Sequence, residues 1–130
     1  MGTAIIAVLE IAGNADVPIA PGNKVSGVEV TEVTTTAYTV STTSNREKIM
    51  LIVRLDTIGA ACTITIPTAL FSRAGLEIEI IDADQQAGTY NITVSPAGSE
   101  TINGETSMII EGDGTSATLR RISITELVLR

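Results

Sequence analysis

The chain has 130 residues, a net charge of −7 at pH 7 and a sequence pI near 4.4. This length is typical of one domain with a core of its own. The acidic balance argues against a protein that binds the phosphate backbone of nucleic acids, which would need clustered lysine and arginine. Aromatic residues make up only 2% of the chain, so a stacking surface for sugars or single-stranded nucleic acid is not expected.

The residues that usually carry catalysis are scarce. The sequence has no histidine, and Cys62 is its one cysteine, which excludes serine–histidine and cysteine–histidine chemistry, an intrachain disulfide and a cysteine-based metal site. We expect Cys62 to be a buried strand thiol. Asp82 and Asp84 are the best carboxylate pair, but residues 86–90 lack the later ligands of a calcium loop, so a solvated turn is preferred. No enzyme activity, cofactor or metal site is predicted.

Residues 4–11 are predicted to form a first strand that is apolar on both faces. Such a strand needs cover on both sides, either inside a sandwich or from a neighbouring subunit. No basic residue precedes it, and no apolar run approaches the roughly 20 residues of a membrane span, so neither a secretory signal nor a membrane contact is expected. The candidate partner-binding residues, at a capsid or subunit interface, are Ile5, Ile6, Val8, Leu9 and Ile11.

An irregular connector with Pro18 and Pro21 follows this strand. We therefore divide the chain into an N-terminal arm or strand, residues 1–23, which docks or is exchanged, and a single β-domain, residues 24–130. Residues 25–44 are rich in threonine and are predicted to contain an exposed strand. Residues 48–55 form the most apolar run and should lie centrally.

The middle of the chain alternates apolar and polar residues in the manner of strands. Residues 62–66 alternate and stop at Pro67, which cannot continue a ladder. Thr68 is predicted to cap one short helical turn that Gly75 closes. The Thr63-Ile64-Thr65 triplet resembles a rung of an ice-binding solenoid, but no internal period is present to repeat it, so strand propensity is the preferred explanation.

The last third of the chain is predicted to consist of hairpins. Asn103-Gly104 is a strong signal for a type I′ turn joining residues 101–102 to residues 106–110. Ile122 and Ile124 fall out of phase with the leucines that follow, which predicts a bulge or a crossing between sheets at Thr125-Glu126. The predicted fold class is all-β, an antiparallel β-sandwich or jelly-roll-like barrel with at most one short helical turn.

Residues 75–104 read GLEIEIIDADQQAGTYNITVSPAGSETING. This run resembles a small β-module of tailed-bacteriophage head fibres, tail fibres and capsid decoration proteins, in which an EITI-D-loop-NITI-P-G-TING pattern recurs. The resemblance extends over residues 38–125. The chain departs from such modules at Arg120-Arg121-Ile122-Ser123, where they often carry a Gly-Thr-Asn-Trp-like segment.

The resemblance implies a structural virion protein. We expect a capsid decoration protein, of the cement or head-fibre kind, which is made in the host cytoplasm and binds the major capsid protein at the capsid surface. Proteins of this kind are usually homotrimers, and their role is to stabilise the capsid. Two alternatives remain open: a host-attachment tip of a phage fibre that binds a receptor or glycan, and a glycan hydrolase with two carboxyl groups roughly 5–9 Å apart.

Overall fold

The computed structural model describes residues 25–43 and 45–130. Within them the regular secondary structure is mostly β-strand, which confirms the predicted all-β class. The elements in chain order are β1 (Val25–Val33), β2 (Ala37–Thr39), β3 (Arg46–Val53), α1 (Leu55–Ile58), β4 (Cys62–Ile66), a 3-10 helix (Thr68–Ser72), β5 (Glu77–Asp82), β6 (Ile92–Pro96), β7 (Thr101–Ile102), β8 (Met108–Ile110), β9 (Ser116–Ser123) and β10 (Glu126–Leu129).

The described strands form two sheets. Sheet A has six strands in the order β1-β3-β5-β9-β10-β7, and sheet B has four in the order β2-β4-β6-β8. The first six strands alternate between the sheets, and β3, β4, β5 and β6 each pair in parallel with the strand two before them. The chain therefore winds in coils, each with one strand in each sheet, as in a β-solenoid.

This winding corrects the prediction of an antiparallel sandwich or jelly-roll-like barrel. Among the described strands, antiparallel pairing involves the C-terminal part, where β9 pairs with β5, β10 with β9, and β8 with β6. Parallel neighbours cannot be joined by a tight hairpin and need a long crossover. Here each crossover passes through the opposite sheet, so the turn signals between the first six strands mark corners of a coil and not hairpins.

The coils have unequal lengths, which explains why the sequence shows no fixed repeat. In sheet A, Lys48 pairs with Val28, 20 residues earlier, and with Glu77, 29 residues later. In sheet B, Ile64 pairs with Tyr38 and Val94, at separations of 26 and 30 residues. A search for self-similarity at one period cannot detect coils whose lengths differ this much.

The core lies between the two sheets and consists mainly of branched aliphatic side chains. Alternate residues of each strand point inward, as the pleat of a β-strand requires. The strand residues that are fully buried there include Ile49, Leu51, Val53, Ile64, Ile66, Ile78, Ile80, Ile92, Val94 and Leu119. Leu55, Leu70 and Phe71 from the helical turns are also buried and close the core at its margins.

The helical content slightly exceeds the prediction. The 3-10 helix occupies the expected place after Pro67, but α1 adds a second helical turn that was not predicted. Burial of Leu55 fixes the start of α1 against the core, and Gly59 ends it with a φ of 69°, a conformation that glycine adopts without strain. Two short helical turns are therefore present among the described residues.

The C-terminal turn signals are confirmed, but one pairing differs. Asn103 and Gly104 have φ values of 52° and 80°, as a type I′ turn requires. The hairpin is a single bridge between Ile102 and Glu105, and β8 pairs with β6 in the other sheet. The predicted interruption at Thr125-Glu126 is a turn at residues 124–125 that joins β9 to β10 within sheet A, and the register of the two strands shifts between Glu126 and Leu127.

The N-terminal predictions lie outside the described residues. This applies to the strand at residues 4–11, to the arm at residues 1–23, and to the candidate partner-binding residues Ile5, Ile6, Val8, Leu9 and Ile11. In the described part, no helix is both long and apolar enough to cross a bilayer.

We expect Leu51→Ala to lower the free energy of unfolding by about 2–5 kcal/mol, because Leu51 is fully buried and its removal leaves a cavity. Ile109→Ala is the matched control, since Ile109 is 52% exposed on the outer side of sheet B and its truncation should cost less than about 1 kcal/mol. Urea unfolding measures both values. Equal losses would contradict the assignment of the core to the space between the sheets.

Candidate interaction surfaces

The outer face of sheet A carries a contiguous apolar area that we call the apolar strip. Val28 and Val30 are 44% and 55% exposed, while the outward residues of the next two strands are half-buried. The register places Val30 beside Met50 and Ile52 beside Ile81. The apolar strip therefore comprises Val28, Val30, Met50, Ile52 and Ile81. A connected apolar area of this kind on a small domain is a candidate contact surface.

The alternation of apolar and polar residues in β1 was visible in the sequence, but the apolar strip was not. It predicted an exposed strand from Val28 and Val30 alternating with Glu29 and Thr31. The structure directs the two valines outward and leaves Glu29 and Thr31 half-buried on the opposite side. Val33, which is 1% exposed, fixes this phase because side chains in a strand alternate strictly between faces.

The remainder of this face carries paired charges. Glu77 accepts hydrogen bonds from Arg120 at 2.7 Å and from Arg130, and Lys48 lies 2.9 Å from Glu79. The hydrogen bond from Arg120 holds the pKa of Glu77 below its ordinary value of 4.5, and the positive charges of Arg130 and Lys48 add to this effect. Basic residues thus screen the two neighbouring glutamates from each other.

The adjacent arginines of β9 have separate structural roles. Arg120 is 49% exposed and pairs with Glu77, whereas the Nε of Arg121 donates to the backbone carbonyl of Phe71 at 2.8 Å. Arg121 thereby ties β9 to the 3-10 helix. The two arginines therefore do not form a single basic patch.

The two sheets end at β1 and β2 on the same side of the stack. Within residues 25–43 and 45–130, β1 pairs with β3 and β2 pairs with β4, and neither has a second neighbour. β1 is nine residues long, its pairing with β3 is regular from Val28 to Val33, and it adjoins the apolar strip. An edge strand of this length exposes a row of backbone groups that can pair with another strand.

The outer face of sheet B carries small, mostly hydroxylated side chains. The register aligns Thr39, Thr65 and Ser95 in one row and Ala37, Thr63 and Thr93 in the next. Stacked threonine rungs therefore exist, although the sequence showed no repeat. They extend over three parallel strands in the described part of the chain, which is few for an ice-binding face.

Asp82 lies in a buried turn and not in the solvated turn that the sequence predicted. Asp82 is only 3% exposed. One oxygen accepts from the amide of Gln86 at 3.1 Å, and the other accepts from Ala87 and Gly114, both at 2.9 Å. Asp82 thus joins the loop after β5 to the loop before β9, and this bonding satisfies a carboxylate that burial would otherwise penalise.

Asp84 is also committed to holding the fold. Its Oδ1 accepts from Arg54 at 3.2 Å, and its Oδ2 accepts from the amide of Asp56 at 3.2 Å. Arg54 also donates to Glu32, so this pair links β1, α1 and the loop after β5. Among the described residues, no cluster of three or more histidine, cysteine, aspartate or glutamate side chains could hold a metal ion.

Cys62 is a buried strand thiol, as predicted. It is 1% exposed, and its Sγ donates to the carbonyl of Thr35 at 3.4 Å. Burial raises the pKa of the thiol, which disfavours the thiolate that a nucleophile needs. Cys62 therefore serves as a small apolar residue that also ties β4 to the corner before β2.

No protein-family model matches the chain, and a search of curated proteins finds no match to it. The functional proposals below therefore depend on the sequence resemblance and on the surfaces just described. Of these surfaces, the apolar strip and the β1 edge are continuous with each other. The paired charges and the two aspartates already make contacts within the domain.

We expect Asp82→Ala to destabilise the domain by roughly 1.5–3 kcal/mol, because it removes the acceptor for three backbone amides, two of them at 2.9 Å. Asp113→Ala is the control, since exposed Asp113 accepts from one amide, that of Gly88, and should cost less than about 1 kcal/mol. Denaturant unfolding compares them. If Asp82→Ala lowers the free energy of unfolding no more than Asp113→Ala does, Asp82 does not stabilise the fold by joining the two loops.

We expect Glu77→Gln to destabilise the domain most at neutral pH. The folded-state pKa of Glu77 lies below its ordinary value of 4.5, so ionised Glu77 contributes stability above that value, and the contribution is lost as the pH falls through the lowered pKa. The difference between wild type and Glu77→Gln should therefore shrink below about pH 4.5. Unfolding midpoints measured from pH 3 to 7 test this.

Proposed function

We propose that this chain is a structural virion protein of a tailed bacteriophage, a capsid decoration protein that binds the major capsid protein as a homotrimer and stabilises the capsid. The resemblance at residues 75–104 supports the virion assignment. The apolar strip, next to the β1 edge, is the observation that carries the binding role, because it offers both apolar area and unpaired backbone groups at one site.

The size of the apolar strip fits a contact that is repeated over a lattice. Five side chains on three strands cover much less than the roughly 800 Å² that each partner buries in a stable complex of standard size. A trimer that presents three such surfaces gains affinity through effective concentration, because one bound subunit holds the other two near their sites on the partner. A capsid, whose subunits repeat, supplies sites for all three.

The charge of the protein suits this role. A net charge of −7 keeps free copies soluble and limits non-specific association. The charges of sheet A are paired within the domain, at Lys48–Glu79 and Glu77–Arg120. The apolar strip can therefore approach a partner without leaving these particular charges buried and unpaired.

A host-attachment tip is the second candidate, and the hydroxylated outer face of sheet B favours it. Thr63 is exposed and lies in register with Thr93, so hydroxyl groups are available to hydrogen-bond a glycan. Against it, glycan sites usually use aromatic platforms. Tyr38 and Tyr90 are partly buried and pack against the core instead.

We expect the full chain to have the mass of a trimer by light scattering and to co-sediment with capsids of the phage that encodes it. Val30→Asp places a charge in the apolar strip and should weaken capsid binding about tenfold or more. Because Val30 is 55% exposed, the fold should tolerate the change. The Thr63→Asp variant adds the same charge at an exposed position on the outer face of sheet B. It should bind capsids as strongly as the wild type does.

Two results would contradict the proposal. A monomer that does not bind capsids would exclude a trimeric decoration protein. Equal capsid binding by wild type and Val30→Asp would exclude the apolar strip as the contact. Adsorption to host cells that Thr63→Asp abolishes and Val30→Asp leaves intact would favour the host-attachment tip.

A further inference from the structure

The ion pairs on the outer face of sheet A contain one more positive charge than negative charge. Lys48 and Glu79 pair one to one, with Nζ of the lysine 2.9 Å from the carboxylate. Glu77, in contrast, is shared by two guanidinium groups, those of Arg120 and Arg130. Three cations therefore share two carboxylates at this place, on a chain whose net charge is −7.

The strand register brings both arginines to the same carboxylate. Arg120 on β9 lies directly opposite Glu77 on β5. Arg130 directly follows β10, and its amide donates to the carbonyl of Thr118 on β9. Thr118 and Arg120 are two residues apart and so lie on the same side of the sheet. The backbone pairing of β5, β9 and β10 therefore fixes the arrangement.

Glu77 uses only part of the hydrogen-bonding capacity of the two arginines. Its Oε2 accepts from Nε and Nη2 of Arg120, at 3.3 and 2.7 Å, and from Nη1 of Arg130. Each guanidinium group carries five N–H donors. Within the described part of the chain, Nε and Nη2 of Arg130 make no hydrogen bond. Both arginine side chains are 49% exposed, so the remaining donors are accessible to a second carboxylate.

Among the described residues, no further carboxylate forms an ion pair with either arginine. Glu79 is already paired with Lys48. Glu126, at the start of β10, lies beside Ser123, three residues beyond Arg120 on β9. A second carboxylate for the arginines must therefore come from outside this part of the chain.

The arginines lie on the same face as the apolar strip. Sheet A places β1, β3, β5, β9 and β10 side by side, and strands about 4.8 Å apart put β10 about 19 Å from β1. Because the apolar strip is smaller than the roughly 800 Å² that each partner buries in a standard interface, a protein bound to it would also cover the arginines. Their extra charge would then lose water, which costs free energy unless the partner supplies a negative group.

We propose that Arg120 and Arg130 together bind an aspartate or glutamate side chain of the major capsid protein, where that protein covers the apolar strip. This inference rests on the proposed function and adds the chemistry of the partner's contact residue. Arginine binds a carboxylate through two parallel hydrogen bonds and is enriched among the residues that dominate binding energy. The net charge of −7 disfavours a polyanion such as nucleic acid, whereas one carboxylate needs only the local pair.

Co-sedimentation with capsids of the encoding phage tests the arginine pair. Arg130→Gln removes the extra charge, while Glu77 keeps its hydrogen bonds to Arg120, so the domain should stay folded, as urea unfolding can verify. Capsid binding should weaken about tenfold, because the partner's carboxylate loses its counter-charge. Thr63→Asp is the matched control, since it changes the net charge by the same amount on the outer face of sheet B, and it should bind as the wild type does.

Salt dependence separates the arginine pair from the apolar strip. Salt screens the attraction between charges, so capsid binding by the wild type should fall more steeply than binding by Arg130→Gln between about 50 and 500 mM NaCl. Arg130→Lys keeps the charge but loses the planar donor group. Its affinity should lie between those of the wild type and Arg130→Gln.

The outcomes distinguish the arginine pair from the proposed function. Unchanged or tighter capsid binding by Arg130→Gln, or the same salt dependence as the wild type, would overturn the arginine pair and leave the apolar strip as the contact. An equal loss in Thr63→Asp would also overturn it, because net charge and not the site would then decide binding. A wild-type protein that does not bind capsids would overturn both the inference and the proposed function.

Discussion

The fold depends on the parallel register between successive coils. Each strand must place its inward side chains directly beside those of the strand one coil away, because a shift of one residue would exchange the buried and exposed faces. Leu51 lies between Thr31 and Ile80 in this way, and Ile64 lies between Tyr38 and Val94. Once this register is set, the outer surfaces follow from the remaining residues.

The two ends of the stack differ. At one end the antiparallel strands β9 and β10 cover β5, and Asp82 fastens the adjoining loops with three amide hydrogen bonds. At the other end, in the described residues, β1 and β2 are the last strands of their sheets. Among the four strands that end the two sheets in the described residues, β1 is the longest, and the apolar strip adjoins it.

Local sequence signals predicted local structure well. The stop at Pro67, the turn at Asn103-Gly104 and the buried thiol of Cys62 are all present, because each depends on one residue's own geometry or polarity. The arrangement of strands was wrong because alternation of apolar and polar residues is the same in parallel and antiparallel sheets. Corner residues such as Gly59 resemble hairpin turns when the strand partner is unknown.

The candidate surfaces were predictable only in part. The apolar valines of β1 were visible in the sequence, but their outward direction depends on Val33 being buried beside Val53, a contact between coils. The role of Asp82 depends on Gly114, 32 residues away, which no local pattern indicates. Long-range pairs of this kind become apparent only after the coils are aligned.

The most direct test of a capsid-decorating role is electron cryomicroscopy of capsids of the encoding phage with this protein bound. The role predicts three-fold symmetric knobs on the capsid surface, each accommodating three two-sheet domains with their apolar strips turned toward the shell. Bare capsids with density for the protein confined to the tail, or single domains without three-fold symmetry, would contradict it.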